Sequence, residues 1–149
     1  MTCAVANYWI NLILDHMLRT ATWTKPTALH WGLFTVAPTY NSAGTEVSTS
    51  GTGYGRVNLP PLNTNYAATQ GGTTGASSGT TALCTNAVAI QYGTPLVNWG
   101  NILAAAAFDA ATAGNMELIA TLVTPLQVNA GNVPPVIVAG NLSILFPVP

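Results

Sequence analysis

The chain has 149 residues, of which 49% are hydrophobic and 5% charged, with three basic and four acidic side chains and a net charge of −1; a typical soluble domain is about 25% charged. Arg19, Lys25 and Arg56 are too few to neutralise a nucleic-acid backbone or to hold an anionic membrane surface. So much apolar content with so little net charge also argues against intrinsic disorder.

The length fits a single domain, 1–149, able to bury a core without a staple. Asn, Thr, Ser, Gln and Gly stand where charges would be, and a surface so poor in charge is expected to face other protein. Cys3 and Cys84 make no disulfide framework. The opening MTCAVANYWINLILDHML has no basic n-region and no small-residue cleavage site. Apolar runs stay short of the roughly 18 residues a membrane span needs. The expectation is a chain made in the cytoplasm and unprocessed.

Residues 4–19, AVANYWINLILDHMLR, predict a helix. Val5, Trp9, Leu12, Leu14 and Met17 recur at near-helical spacing, and Tyr8, Ile10, Ile13 and Leu18 widen the stripe beyond one face. Asp15 and Arg19 stand four apart, acid first, the favourable order. A helix apolar on more than one side is expected to pack twice or to meet another subunit, which makes Tyr8, Trp9 and Leu12 contact candidates. TATWTK and Pro26 end it.

A β region follows, over about 27–149. ALHWGLFTVAPT reads as a strand closed by Pro38, with Leu29, Trp31, Leu33 and Thr35 on one face and His30, Gly32, Phe34 and Val36 on the other. Residues 40–53 read as a loop, and YGRVNL resumes extended structure until Pro60 and Pro61. Residues 63–81, NTNYAATQGGTTGASSGTT, read as a flexible loop or arm that needs a partner to order it. Four extended segments complete the chain: ALCTNAVAIQYG, WGNILAAAAFDA, MELIATLVTPLQV and PPVIVAGNLSILF. The turn signals AATAGN and NAGN separate them. Short strands without alternating helices predict a mainly β fold, an antiparallel β-sandwich or barrel with one N-terminal α-helix.

No catalytic group assembles from the sequence. His16 and Asp15 are adjacent on a helix and point about 100° apart, and His30 has no acid nearby. Cys3, Cys84, His16 and His30 lack zinc-ligand spacing, and the acids do not cluster as a calcium loop requires, so neither metal nor cofactor is expected. A carbohydrate-active domain would require two of the four acids to converge in a cleft. The stretch GTGYGR, Gly51 to Arg56, has no helix after it and no closing lysine, as a phosphate loop would. Its glycines serve instead a turn into a strand. Tyr54 packs its ring while its hydroxyl takes a partner, and Arg56 anchors the loop or a subunit contact, pairing with Glu46.

LHWGLFTVAPT at 29–39, GTEVSTSGTGYGRV at 44–57, NWG at 98–100, FDAATAGN at 108–115 and TPLQVNAG at 124–131 together resemble a family of small tailed-bacteriophage virion proteins. The departures are the long 63–81 stretch, Ala113-Gly114 in place of Gly-Gly, and Asn132 in place of an acid. The resemblance implies a non-enzymatic virion part, either head decoration (cement) or tail-fibre-like. With no repeat, heptad or shaft in the chain, the expectation is a decoration protein on the head surface. It would brace the major capsid protein, with a trimer implied by analogy and a tail-fibre or baseplate role in host attachment as the alternative. Contacts are expected from Tyr8, Trp9, Leu12, Tyr54, Arg56 and Phe146, the last in a SILFPVP tail.

Overall fold

A computed structural model describes residues 1–145; Phe146 and residues 147–149, expected as a contact and a tail, lie outside the described residues. In chain order the elements are β1 (Thr2–Val5), α1 (Asn7–Leu18), β2 (His30–Val36), β3 (Thr45–Glu46), β4 (Val57–Asn58) and β5 (Tyr66–Ala67). Then come β6 (Leu83–Asn86), β7 (Ile90–Gln91), β8 (Gly100–Phe108), β9 (Met116–Val128), β10 (Val136–Ile137) and β11 (Ser143–Leu145).

Nine strands form one sheet in the order β3-β2-β8-β9-β1-β11-β6-β5, with β4 also on β2, while β10 and β7 make a separate pair. The sheet is open, so the sandwich reading holds and barrel closure does not occur. All pairings are antiparallel except β1 with β11.

β2 and β9 form where β-branched and aromatic residues are dense, whereas β8 between them is built largely of alanine. Trp31 and Leu33 of β2 face the main core with Ile102 and Ala105 of β8 and Leu118 and Ala120 of β9, and Ile90 and Ile137 from the small sheet cover them. On the opposite face Phe34, Ala104, Ala106 and Phe108 form a second cluster. The alanine run 104–107 is strand, as expected, and all four are fully buried. Alternate alanines let both faces of the sheet be approached closely.

One expectation is corrected. The helix does not begin at residue 4: Thr2–Val5 is a strand, paired on one side with Thr121–Leu118 of β9 and on the other with Ser143 and Ile144. α1 then starts after Ala6, whose N–H donates to the Glu117 carbonyl at 2.8 Å. Satisfying backbone groups on both sides outweighs the weak helical preference of TCAV.

The 63–81 stretch, expected as a loop or arm, makes contacts within the chain. Tyr66 and Ala67 pair with β6, and the remainder folds onto itself. The Gly79 N–H donates to Thr69 Oγ1 at 2.9 Å, and Gln70 bonds the Ala76 carbonyl and the Ser78 N–H, both at 2.9 Å. Cys3 and Cys84 are free, on strands either side of Ile144. Burial pushes the Cys3 thiol up to about 12, which leaves it a small core hydrophobe.

Candidate functional site

The loop between β3 and β4 is held by three side chains that the sequence placed within eleven positions. Arg56 donates from Nε to Glu46 Oε1 at 2.9 Å and from a terminal nitrogen to Oε2 at 2.7 Å, a bidentate pair. Its other terminal nitrogen reaches the carbonyls of Ala110 (3.0 Å) and Ala113 (2.7 Å) in the turn between β8 and β9. The guanidinium lies 3.6 Å above the centre of the Phe108 ring. Arg56 therefore anchors within the chain: it ties the glycine loop to a turn more than fifty residues away, with its side chain 7% exposed.

Tyr54 fills a break in the sheet edge. β4 pairs with His30 and Trp31, and β3 with Phe34 and Val36, which leaves Leu33 between them. The Leu33 N–H donates to the Tyr54 hydroxyl at 2.7 Å, and that hydroxyl donates to Glu46 Oε1 at 2.8 Å. Burial raises the Tyr54 pKa well above the ordinary phenol value, so the hydroxyl stays protonated as this relay requires. The ring packs edge-on against Trp99 and stacks with Tyr92.

Gly32 makes the arrangement possible. A Cβ there would stand 2.6 Å from Glu46 Oε1 and 3.0 Å from the Tyr54 hydroxyl. Gly53, at φ +75°, and Gly93 let two loop backbones touch, since a Cβ on either would meet a carbonyl at 2.2 Å.

The helix candidates separate. Trp9 and Leu12 are half-buried; Trp9 packs edge-on with Trp23 at 5.7 Å. No residue of α1 is fully buried. Its outward side carries Ile10, Leu14 and Met17, spaced i, i+4, i+7 and 38%, 48% and 71% exposed. With Leu18 at 76% they make an apolar face uncovered in the single chain, while Tyr8, 39% exposed, lies on the other side of the helix beside Leu12. These residues stood in the widened stripe of the sequence, but only the structure separates the docked side from the free one.

Glu117, read from sequence as the start of a strand, is the third feature. Between Ala107 and Phe108 the β8–β9 register shifts, so Leu118 and Met116 take partners and Glu117 is bulged out, the kind of position that re-aims a side chain. It is 1% exposed, and the Trp9 indole N–H stands beside its carboxyl, though neither that N–H nor Oε2 closes a full hydrogen bond. Burial, and then the nearby Asp109 charge, push the Glu117 carboxyl up from 4.5 to about 7, while the Trp9 indole acts the other way.

Asp109 is occupied differently. Its two oxygens accept from the Asn115 backbone and side-chain nitrogens at 2.7 and 2.8 Å, which closes the FDAATAGN turn. His16 Nδ1 accepts the Trp23 N–H at 3.3 Å. Among the described residues no three His, Cys, Asp or Glu side chains group as metal ligands, and no helix is long and apolar enough to cross a membrane.

Fold and surface define a mainly β domain with one short N-terminal helix, organised around a packed loop knot and an uncovered apolar helix face. Its family follows from comparison. The model of the podophage GP4 fiber I protein gp80 family matches residues 4–145, and the chain belongs to that family. It is thus a bacteriophage virion structural protein, as the motifs in sequence implied. No curated protein matches the chain.

Proposed function

We propose that this protein is a non-enzymatic tail-fibre component that takes part in host attachment and works as a homo-oligomer, most simply a trimer. The observation that carries this reading is the fibre family match across residues 4–145. The uncovered side of α1 supports self-association, because an apolar helix face of this kind is ordinarily covered by protein. Low surface charge supports it too. The head-decoration reading, with the major capsid protein as partner, had rested on the lack of repeats, heptads and a shaft. A fibre family that spans nearly the whole chain removes the force of that contrast.

The deciding experiment is immunogold labelling of intact particles with an antibody to this chain. Gold confined to the tail agrees with the proposal. Gold spread over the head would overturn it and return the protein to the capsid lattice.

A further inference from the structure

β9 does not follow β8 evenly. Ile102 pairs with Leu126 but Ala104 with Thr121, so two steps along β8 answer five along β9, and residues 122–125 are thrown out of the ladder. Pro125, which has no N–H to give a ladder, suits this place. Val123 lies in the bulge and is 91% exposed. Across from it are β10 and the residues that follow, with Val136 and Val138 about half exposed. Between the two runs a cleft of about 400 Å³, floored by Leu33 and Ile102 of the main core. No charged side chain lines it, and none follows Glu117 in the sequence.

The ridge of α1 formed by Ile10, Leu14, Met17 and Leu18 cannot fill the cleft of its own copy. β1 lies between the two: Met1 lines the cleft, and α1 departs from the other end of the strand. They also lie on opposite faces of the sheet. Ile10 borders Ile119 and Thr121, which alternate along β9 with Leu118 and Ala120 of the main core.

A second copy can fill it. Ile10, Leu14 and Met17 recur at i, i+4 and i+7, the pattern by which an amphipathic helix seats in an apolar groove. From Ile10 to Leu18 the ridge is about 12 Å long at a helical rise of about 1.5 Å per residue, and the strand segment 122–126 offers at most about 13 Å. Asp15 and Arg19 do not intrude. Asp15 stands about 100° round the helix from Leu14, and the two charges pair with each other at 3.2 Å. Each surface is on the order of a few hundred Å², the size that marks an interaction site on a single chain. One such contact falls below the roughly 1,200 Å² of a stable pair, whereas a closed ring uses both surfaces of every copy.

We propose that the outward ridge of α1 seats in the β9–β10 cleft of a neighbouring copy. The proposal rests on the homo-oligomer reading and gives it an interface. Ridge and cleft are different surfaces, so the contact is heterologous, and a heterologous contact that closes makes a ring such as a trimer. Ridge against ridge would stop at a two-fold dimer.

The test is oxidative cross-linking of co-expressed Leu14→Cys and Val123→Cys chains, one carrying a size tag, with the parent as the blank for Cys84. A dimer with one chain of each kind is expected, and neither variant expressed alone should cross-link above the parent. Cross-linking of either variant to itself, or the lack of a mixed product, would overturn the proposal. Val123→Glu gives a second readout, since a side chain 91% exposed takes a charge without disturbing the fold. Its light-scattering mass should fall from oligomer to monomer. An oligomeric parent whose mass survives Val123→Glu refutes the cleft and spares self-association, whereas a monomeric parent refutes both. Mixed cross-links together with gold on the head would refute the fibre reading alone.

Discussion

Arg56→Ala tests whether the knot between Glu46, Tyr54 and Arg56 holds the fold together. The substitution removes the bidentate pair at 2.9 and 2.7 Å, two bonds to turn carbonyls and the contact over Phe108. Breaking one side of a buried pair costs about 3–5 kcal/mol, because the other charge is left without compensation. Glu46 is 24% exposed and keeps the Tyr54 hydroxyl, which places the expected loss near the lower end, about 3 kcal/mol. Against a total of about 5–15 kcal/mol that is a large fraction. For a chain of this size it lowers Tm by roughly 10 °C. Urea unfolding of the parent, Arg56→Ala, Glu46→Gln and the double variant, at one protein concentration, completes a cycle. A coupling of about 2 kcal/mol is expected; additivity within about 0.5 kcal/mol, or an Arg56→Ala variant as stable as the parent, would refute the knot.

Three further outcomes are expected. Ala113 sits at φ +51°, where a residue with a Cβ is strained by about 1–2 kcal/mol. Ala113→Gly, after the added chain entropy of glycine, should raise unfolding stability by about 0.5–1 kcal/mol, and a loss in urea melts would contradict this. Glu117 has a folded-state pKa raised from 4.5 to about 7, so its contribution is full below pH 4.5 and is lost as pH rises through 7. Glu117→Gln should therefore gain on the parent by up to about 3 kcal/mol between those limits, and parallel stability–pH curves for the two would sink the assignment. Leu14→Glu, on the outward side of α1, should leave the melt nearly unchanged but shift light-scattering mass from oligomer to monomer. An unchanged mass would remove that face from assembly.

The strands that sequence revealed are those whose own composition settles the matter. HWGLFTV, the alanine run and MELIATLV carry β-branched, aromatic or close-packing residues in unbroken order, and each is a strand of the core. The Glu46–Arg56 pair was equally legible, because charges are so rare that each has few possible mates. β1 was not legible. TCAV passes for the first turn of a helix, and its strand state depends on partners at 118–121 and 143–144, more than a hundred residues away. β5 was hidden by composition instead: Tyr66 sits in a low-complexity stretch, yet it pairs with Asn86 and its hydroxyl accepts the Trp31 indole N–H at 3.0 Å. The burial of Glu117 depends on a register shift between β8 and β9, which no local pattern encodes.

Scarcity of charge acquires a structural meaning once each charged side chain is located. Glu46 and Arg56 hold each other, Asp15 and Arg19 pair along α1 at 3.2 Å, and Asp109 closes its turn. Lys25 reaches the Pro61 carbonyl at 3.3 Å, and Glu117 is buried. Each of the seven charged residues has a partner or is buried, and only Asp15, Arg19 and Lys25 present charge at an exposed surface, which is little to keep copies apart. A protein that works alone in solution gains from such repulsion. One that is packed among other virion subunits gains from its absence, since neutral Thr- and Asn-rich surfaces can approach without ion pairs to desolvate. The same neutrality lets the outward face of α1 meet an apolar partner without a like-charge clash. On the proposed oligomeric reading, charge depletion and the uncovered helix are two consequences of one requirement, a surface completed by assembly.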